Sequence, residues 1–343
     1  MRLGDVPKRG GTGLTIDNGA GGRGGTGLSA DARGGKVKAM IMWKKLTSVL
    51  IATLPGAALA IVAGGSGLTP ATVAEHQARC AGRDGWSDPA PPIRIFANVY
   101  DIGTCGITVL LIVGDRGSIV IDSATTQAPP SILANLRRLG LRPADVKLLL
   151  SSHEHQDHAG GLGALRKATG ARMAARAAAR PVLESGVTAP GDPQREGDRP
   201  AYPGVPVDRI VRDGETVVLG SLRLTALATP GHSPGGTSWT WRSCAGTACR
   251  RIVYADSISA VSTDGYRFRD HPAYVATLRH SIDRIARLPC DLLITPHPQA
   301  SDLYPRLAGK KPLTDRRGCM RYAADGRTAL ERRLAREDQG EQR

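Results

Sequence analysis

Aromatic side chains are scarce, at 4% of 343 residues with two phenylalanines, so the many basic residues stand without aromatic neighbours to stack on bases. The formal charge of +15 is therefore better read as a solvated basic surface than as a nucleic-acid groove. Residues 1–60 contribute much of it, with nine Lys and Arg against three Asp. The rest is scattered arginine, as in Arg137-Arg138, Arg250-Arg251 and Arg332-Arg333. Cys-x-x-Cys is missing, which argues against a thiolate zinc site or a dithiol redox pair. Ser-x-x-Lys is missing too. Gly-x-Ser-x-Gly is matched only by Gly231-His232-Ser233-Pro234-Gly235, where the histidine has a better use, so a serine nucleophile is disfavoured. Beyond residue 63 no apolar run is long enough to cross a bilayer.

Before residue 63 the chain reads as address rather than fold. Residues 1–41 are rich in Gly and Arg and cannot bury a core, so a disordered extension or an over-long start is expected. Trp43-Lys44-Lys45, the apolar stretch Leu46 to Ala63 broken at Pro55-Gly56, and Ala58-Leu59-Ala60 match a secretory signal peptide over residues 42–63. Export to the periplasm or the medium is expected, with no stable membrane association once the signal is cleaved. The competing reading, a membrane anchor, would need a segment without that helix breaker. Six cysteines, all after the signal region, agree with an oxidising compartment. Cys244 and Cys249 flank a four-residue turn between strand-like runs and can close a hairpin. Sequential pairing then joins Cys80 to Cys105 and Cys290 to Cys319.

The remainder, residues 64–343, reads as one α/β domain. Ile93 to Tyr100, Thr108 to Val113 and Ser118 to Asp122 are strand-like; Pro129-Pro130 opens a helix that Gly140 stops; Val146 to Leu150 is a buried strand. Leu165 to Leu183 reads as an exposed Ala/Arg helix, and residues 185–206 as a mobile loop of the kind that covers a site. Then come a hairpin from Thr216 to Ala228, strands at Trp239 to Trp241 and Arg251 to Tyr254, a helix from Ala273 to Leu288, a strand from Leu292 to Thr295 and a helix over Ala323 to Ala335. Each half is a set of strands, a helix, and a strand ending in a His-bearing loop. Two sheets packed face to face with helices outside, an αββα sandwich, would bring those loops to one edge.

The chemistry lies in those loops. Directly after the Val146 to Leu150 run come Ser151-Ser152-His153-Glu154-His155-Gln156-Asp157-His158-Ala159-Gly160-Gly161. Imidazole and carboxylate packed this densely at a strand-to-helix turn suit a hydrolytic metal. His153 and His155, two apart in an extended segment, point the same way and can grip one ion; Asp157 and His158 lie past the turn and aim elsewhere, so a second ion is expected. His232 and His297, in Pro/Gly turns at two later strand ends, would complete one set each. Glu154 and Gln156 fill free positions, and His76, His271 and His280 have no such setting.

His-x-His-x-Asp-His after a strand, Pro-Gly-His, and a late strand-end His together resemble the metallo-β-lactamase superfamily. Gly231 to Trp239, Tyr254-Ala255-Asp256-Ser257-Ile258-Ser259 and Thr295-Pro296-His297-Pro298 are similar to the third subclass of class B β-lactamases. The resemblance spans about Cys80 to Cys319. It implies two zinc ions, one held by His153, His155 and His232 and the other by Asp157, His158 and His297. It also implies that Asp157 orients the attacking hydroxide, and that Ser257 and Ser259 hold the substrate carboxylate. Asp256 is implied to be structural, although related hydrolases bridge metals with an Asp near this point. Asp122 is implied to orient the metal loop. The expected activity is hydrolysis of the β-lactam amide of penicillins, cephalosporins and carbapenems through a zinc-bound hydroxide, by a monomer, conferring antibiotic resistance. Two alternatives stay open: the same fold acting on a lactone or thioester, and a secreted zinc-binding protein without catalysis.

Overall fold

The computed structural model describes residues 68–197 and 200–340; the expected extension and signal segment lie outside them. Among the described residues, twelve strands form two sheets. The first runs in sequence order: β1 (Ile93–Phe96), β2 (Val99–Asp101), β3 (Leu110–Gly114), β4 (Gly117–Ile121), β5 (Val146–Leu150), β6 (Arg172–Arg176) and β7 (Arg209–Val211). It is antiparallel up to β4 and parallel from there on. The second contains β8 (Thr216–Leu219), β9 (Leu222–Ala228), β10 (Thr237–Ala245), β11 (Ala248–Tyr254) and β12 (Leu292–Ile294), ordered β12-β11-β10-β9-β8.

Period-two alternation sorts the strand side chains into layers. Ile119 and Ile121 face the second sheet while Val120 between them faces outward; the same split separates Leu110 and Ile112 from Leu111, and Leu292 and Ile294 from Leu293. The inter-sheet layer adds Trp239, Trp241, Ile252 and Tyr254. Outside the first sheet, α2 (Pro129–Arg138) contributes Ile132 and Leu136, and α4 (Leu162–Thr169) contributes Leu162 and Leu165. Outside the second, α6 (Pro272–Ala286) and α8 (Gly318–Asp338) close over Val253 and Leu293 through Val275, Leu278, Ile282, Leu330 and Leu334. The expected αββα sandwich is the observed architecture. In the same chain-order numbering, α1 is Val73–Cys80, α3 is Gln156–Ala159, α5 is Arg180–Ser185 and α7 is Leu303–Leu307.

Three expectations need correction. Leu165 to Leu183 is not one helix: α4 ends at Thr169, β6 takes Arg172–Arg176, and α5 follows. Gly170, at φ +69°, ends α4 with a left-handed residue. Beyond it the alanines serve the sheet, because Ala174 packs between the sheets and Met173 and Ala175 pack outward. Alanine's helix propensity is overridden by two parallel neighbours, β5 and β7. Ile93 to Tyr100 is not one strand but a hairpin, turned at Ala97 with φ +47°. The C-terminal helix starts at Gly318 rather than near Ala323.

Three disulfides join Cys80 to Cys105, Cys244 to Cys249 and Cys290 to Cys319, with Cα separations of 5.4, 4.0 and 6.1 Å. Cys244 and Cys249 face each other across the β10–β11 hairpin. Chain entropy makes the bridges unequal: closing a loop of ~30 residues is worth about 3.5 kcal/mol and one of ~5 about 2 kcal/mol. The double substitution Cys290→Ser/Cys319→Ser is therefore expected to lower the denaturant midpoint more than Cys244→Ser/Cys249→Ser. Equal or reversed losses would show that the loop-entropy account does not govern these bridges.

Candidate metal centre

The first ligand loop is fixed before its histidines begin. Asp122, fully buried at the end of β4 with φ +69°, accepts the Ser152 amide (2.6 Å), the Ser152 hydroxyl (2.7 Å) and the Tyr254 hydroxyl (2.7 Å). Ser151 and Ser152 are also held by the second sheet, for Trp239 Nε1 donates to the Ser151 carbonyl (2.9 Å) and the Thr237 amide to the Ser152 carbonyl (2.7 Å). A buried carboxylate is tolerated only when its lone pairs are used in this way. The position expected to orient the loop makes these contacts.

Beyond Ser152 the loop presents His153, Glu154 and His155, and Gln156 then starts the one-turn α3 that carries Asp157 and His158. The rings of His153 and His155 lie 4.8 Å apart, and His232 lies 4.8 and 5.0 Å from them. Asp157 Oδ2 is 3.1 Å from His158 Nε2 and 3.4 Å from His297 Nε2, and those two nitrogens are 3.2 Å apart. His153, His155 and His232 can share one ion, and so can His153, Asp157 and His158. All six expected donors meet at the edge of the two sheets.

The rings are aimed by what stands behind them. His153 Nδ1 bonds Asp256 Oδ1 (2.8 Å), His155 Nε2 bonds Asp192 Oδ2 (2.9 Å), and His232 Nδ1 bonds the Ser259 carbonyl (3.0 Å). Each acceptor places the proton on that nitrogen and leaves the opposite one as a lone pair. His153 Nε2 is buried with no hydrogen-bond partner among the described residues. Burial, helped by the neighbouring imidazoles, pushes His153 well below the usual histidine range and His232 down to about 3, so both present neutral rings. Burial works against charge on Asp157 and His158, yet their mutual attraction outweighs it; Asp157 falls well below the carboxylate range, and His158, with Asp122 also contributing, rises to about 10. The neutral rings of His153 and His232, the Asp157 carboxylate and the orphaned His153 Nε2 make a donor set that fits a metal ion, whose own charge would displace the proton that Asp157 and Asp122 hold on His158.

Asp256 stands behind His153. Ser257 is buried beside it, while Ser259 is exposed and turns its Oγ to within 3.1 Å of His232 Nδ1. Sequence reasoning missed Asp192 and Gln194, which lie in the 185–206 segment that was expected to cover a site. Gln194 Nε2 stands 3.3 Å from His155 Nδ1 and 3.4 Å from His232 Nε2, and the Pro193 carbonyl takes the Thr263 amide (2.9 Å). No spacing marks these two residues, because the segment has no periodicity. Trp86, 48% exposed with its ring 5.9 Å from that of His297, was likewise not anticipated. Of the histidines left out, His76 is buried beside Tyr304 and His271 stacks on Tyr266.

A two-sheet sandwich with this donor cluster at its edge defines a class of metal-dependent hydrolases. The family model described as metallo-beta-lactamase superfamily matches residues 102–297, and the chain belongs to that superfamily. The chain is similar to the solved metallo-beta-lactamase MIM-1 of Novosphingobium pentaromativorans, with 48% identity, a TM-score of 0.75, and coverage of 78% of this chain and 98% of that one. It is also similar to MEM-A1, a subclass B3 metallo-beta-lactamase from a soil metagenome, at 38% identity and a TM-score of 0.71 over 75% and 100% of the two chains. Among curated relatives, the hydroxyacylglutathione hydrolase of Cereibacter sphaeroides is 31% identical over 43% of this chain and 46% of its own. The chain spans about half the length of the first curated relatives it matches.

Replacing Asp256 by Asn would exchange the carboxyl group that meets His153 Nδ1 for an amide of the same volume. Metal affinity, read by competition with a chromogenic chelator, is expected to fall about 10–100-fold with the fold retained. Unchanged affinity would mean that Asp256 does not aim the ring.

Proposed function

We propose that this protein is an exported β-lactamase holding two zinc ions, the first on His153, His155 and His232 and the second on Asp157, His158 and His297. The observation that carries the reading is the convergence of those six donors in two adjoining sets, in a chain that resembles subclass B3 enzymes over nearly their whole length. Zinc bound there would supply a Lewis acid and lower the pKa of a coordinated water to about 7.

The remaining work falls to the chain's own residues. Asp157 keeps an ionised carboxylate between the two sets, where it can hold a proton-bearing group in line with the substrate carbonyl. To Ser257 and Ser259, on the segment after β11, we assign the hydrogen bonds that orient the carboxylate of a β-lactam. Trp86 offers an apolar face beside His297 to a substrate substituent. Asp192 and Gln194 brace the first set through their contacts with His155 and His232. Three disulfides support an oxidising compartment, and a monomer is the expected form.

Purified protein is expected to open nitrocefin and a carbapenem, to lose both activities to a strong chelator, and to regain them with zinc. Zinc-loaded protein that opens neither, but cleaves hydroxyacylglutathione, would move the assignment to the activity named for the curated relatives. Metal content without chelator-sensitive hydrolysis of any ester or amide would favour a non-catalytic role. His297→Ala should lose about one zinc and most turnover; an unchanged metal count would refute the second ligand set.

A further inference from the structure

Glu154 has no part in the scheme above, yet it stands between two of the ligands. In an extended segment the middle residue points opposite to its neighbours, so Glu154 turns away from the metal-facing side and into the protein, where it is 1% exposed. Its carboxylate meets the other loop of the first ligand set rather than a cation. Oε1 accepts the Gly235 amide (2.7 Å) and Oε2 accepts the Ser233 hydroxyl (2.9 Å). Ser233 directly follows His232. The Glu154 carbonyl is fixed in turn by the Tyr202 hydroxyl at 2.8 Å. Gly235 is needed for so close an approach, because a Cβ there would lie 2.4 Å from Glu154 Oε2 and 2.5 Å from the Ala179 Cβ.

The two loops belong to different sheets. His153 and His155 follow β5 of the first, and His232 lies between β9 and β10 of the second. The Trp239 indole and the Thr237 amide join the sheets upstream of the ligands, and the His153–Asp256 contact ties the ligand loop to the stretch after β11, whereas the Glu154 carboxylate ties it to the loop that carries His232. We propose that Glu154 is a positioning residue, a strut that sets the spacing between the His153–His155 pair and His232 by holding Ser233 and Gly235. A buried carboxylate is costly in an apolar setting unless its acceptors are used. Here both are used on the segment that must stay in register. The proposal rests on the metal-centre reading and is independent of which substrate is cleaved.

The test measures zinc binding in full-length, zinc-depleted protein by chelator competition, with cobalt(II) absorption to separate the two sites. Glu154→Ala is expected to weaken the first site about 10–100-fold. The Asp157–His158–His297 site should change by less than about threefold, and the thermal midpoint of the zinc-depleted protein should move little. Glu154→Gln, whose amide oxygen can still accept the Gly235 amide, should restore most of the loss. A folded E154A variant that binds both ions as the native protein does would overturn the strut, as would equal weakening of both sites. If E154A does not fold, Ser233→Ala, which removes the hydroxyl that Glu154 Oε2 accepts, carries the test: it should weaken the first site severalfold and leave the second within about threefold. Native affinity in S233A, or equal weakening of both sites, would overturn the proposal. Native protein that binds no zinc removes the metal-centre reading itself, a result distinct from native protein that binds two ions while E154A is unchanged.

Discussion

The Asp122 carboxylate is the contact on which the rest of this molecule turns. It sits at zero exposure where β4 ends, and its oxygens are shared between Ser152, two residues past β5 of the first sheet, and Tyr254 of the second. One buried anion thus pins the start of the ligand loop and ties the sheets together at the edge where the loops emerge. Its positive φ is a cost that few residues other than glycine and asparagine or aspartate accept. At a functional edge that cost is offset by three hydrogen bonds to a single side chain.

Behind the ligands the pattern repeats with different partners. Asp256, Asp192 and the Ser259 carbonyl each take the far nitrogen of one imidazole. The rings are aimed by the protein, so the donor set is ordered before any ion arrives, and little rotamer freedom remains to be lost on binding. Those three acceptors come from two segments, Asp192 from the loop before β7 and Asp256 and Ser259 from the stretch after β11. None of the three histidines could be aimed by its own loop alone.

Much of this was legible in the sequence because it is local. His153, His155, Asp157 and His158 announce themselves by spacing, His232 and His297 by their strand-end turns, and many of the strands by short β-rich runs such as Ser118 to Asp122 and Leu292 to Thr295. What was not legible depends on partners far along the chain. Arg172 to Arg176 is a strand because β5 and β7 flank it, whereas its alanines by themselves favour a helix. Asp192 and Gln194 gain meaning only when a loop without periodicity is laid across His155 and His232. Glu154 looked like filler between ligands, because its partners Ser233 and Gly235 are some eighty positions away.

The division of the donors between two sheets has a consequence for how this fold varies. Metal–ligand bonds tolerate errors of about 0.2 Å, while packed sheets shift by comparable amounts when a core side chain changes volume. The layer containing Trp239, Trp241, Ile252 and Ile121 is therefore also a gauge block for the metal site. A substitution deep in that layer, far from any ligand, can leave the protein folded and still retune how tightly it grips an ion. Selection on activity in such a molecule acts on the interior of the sandwich as much as on the loops.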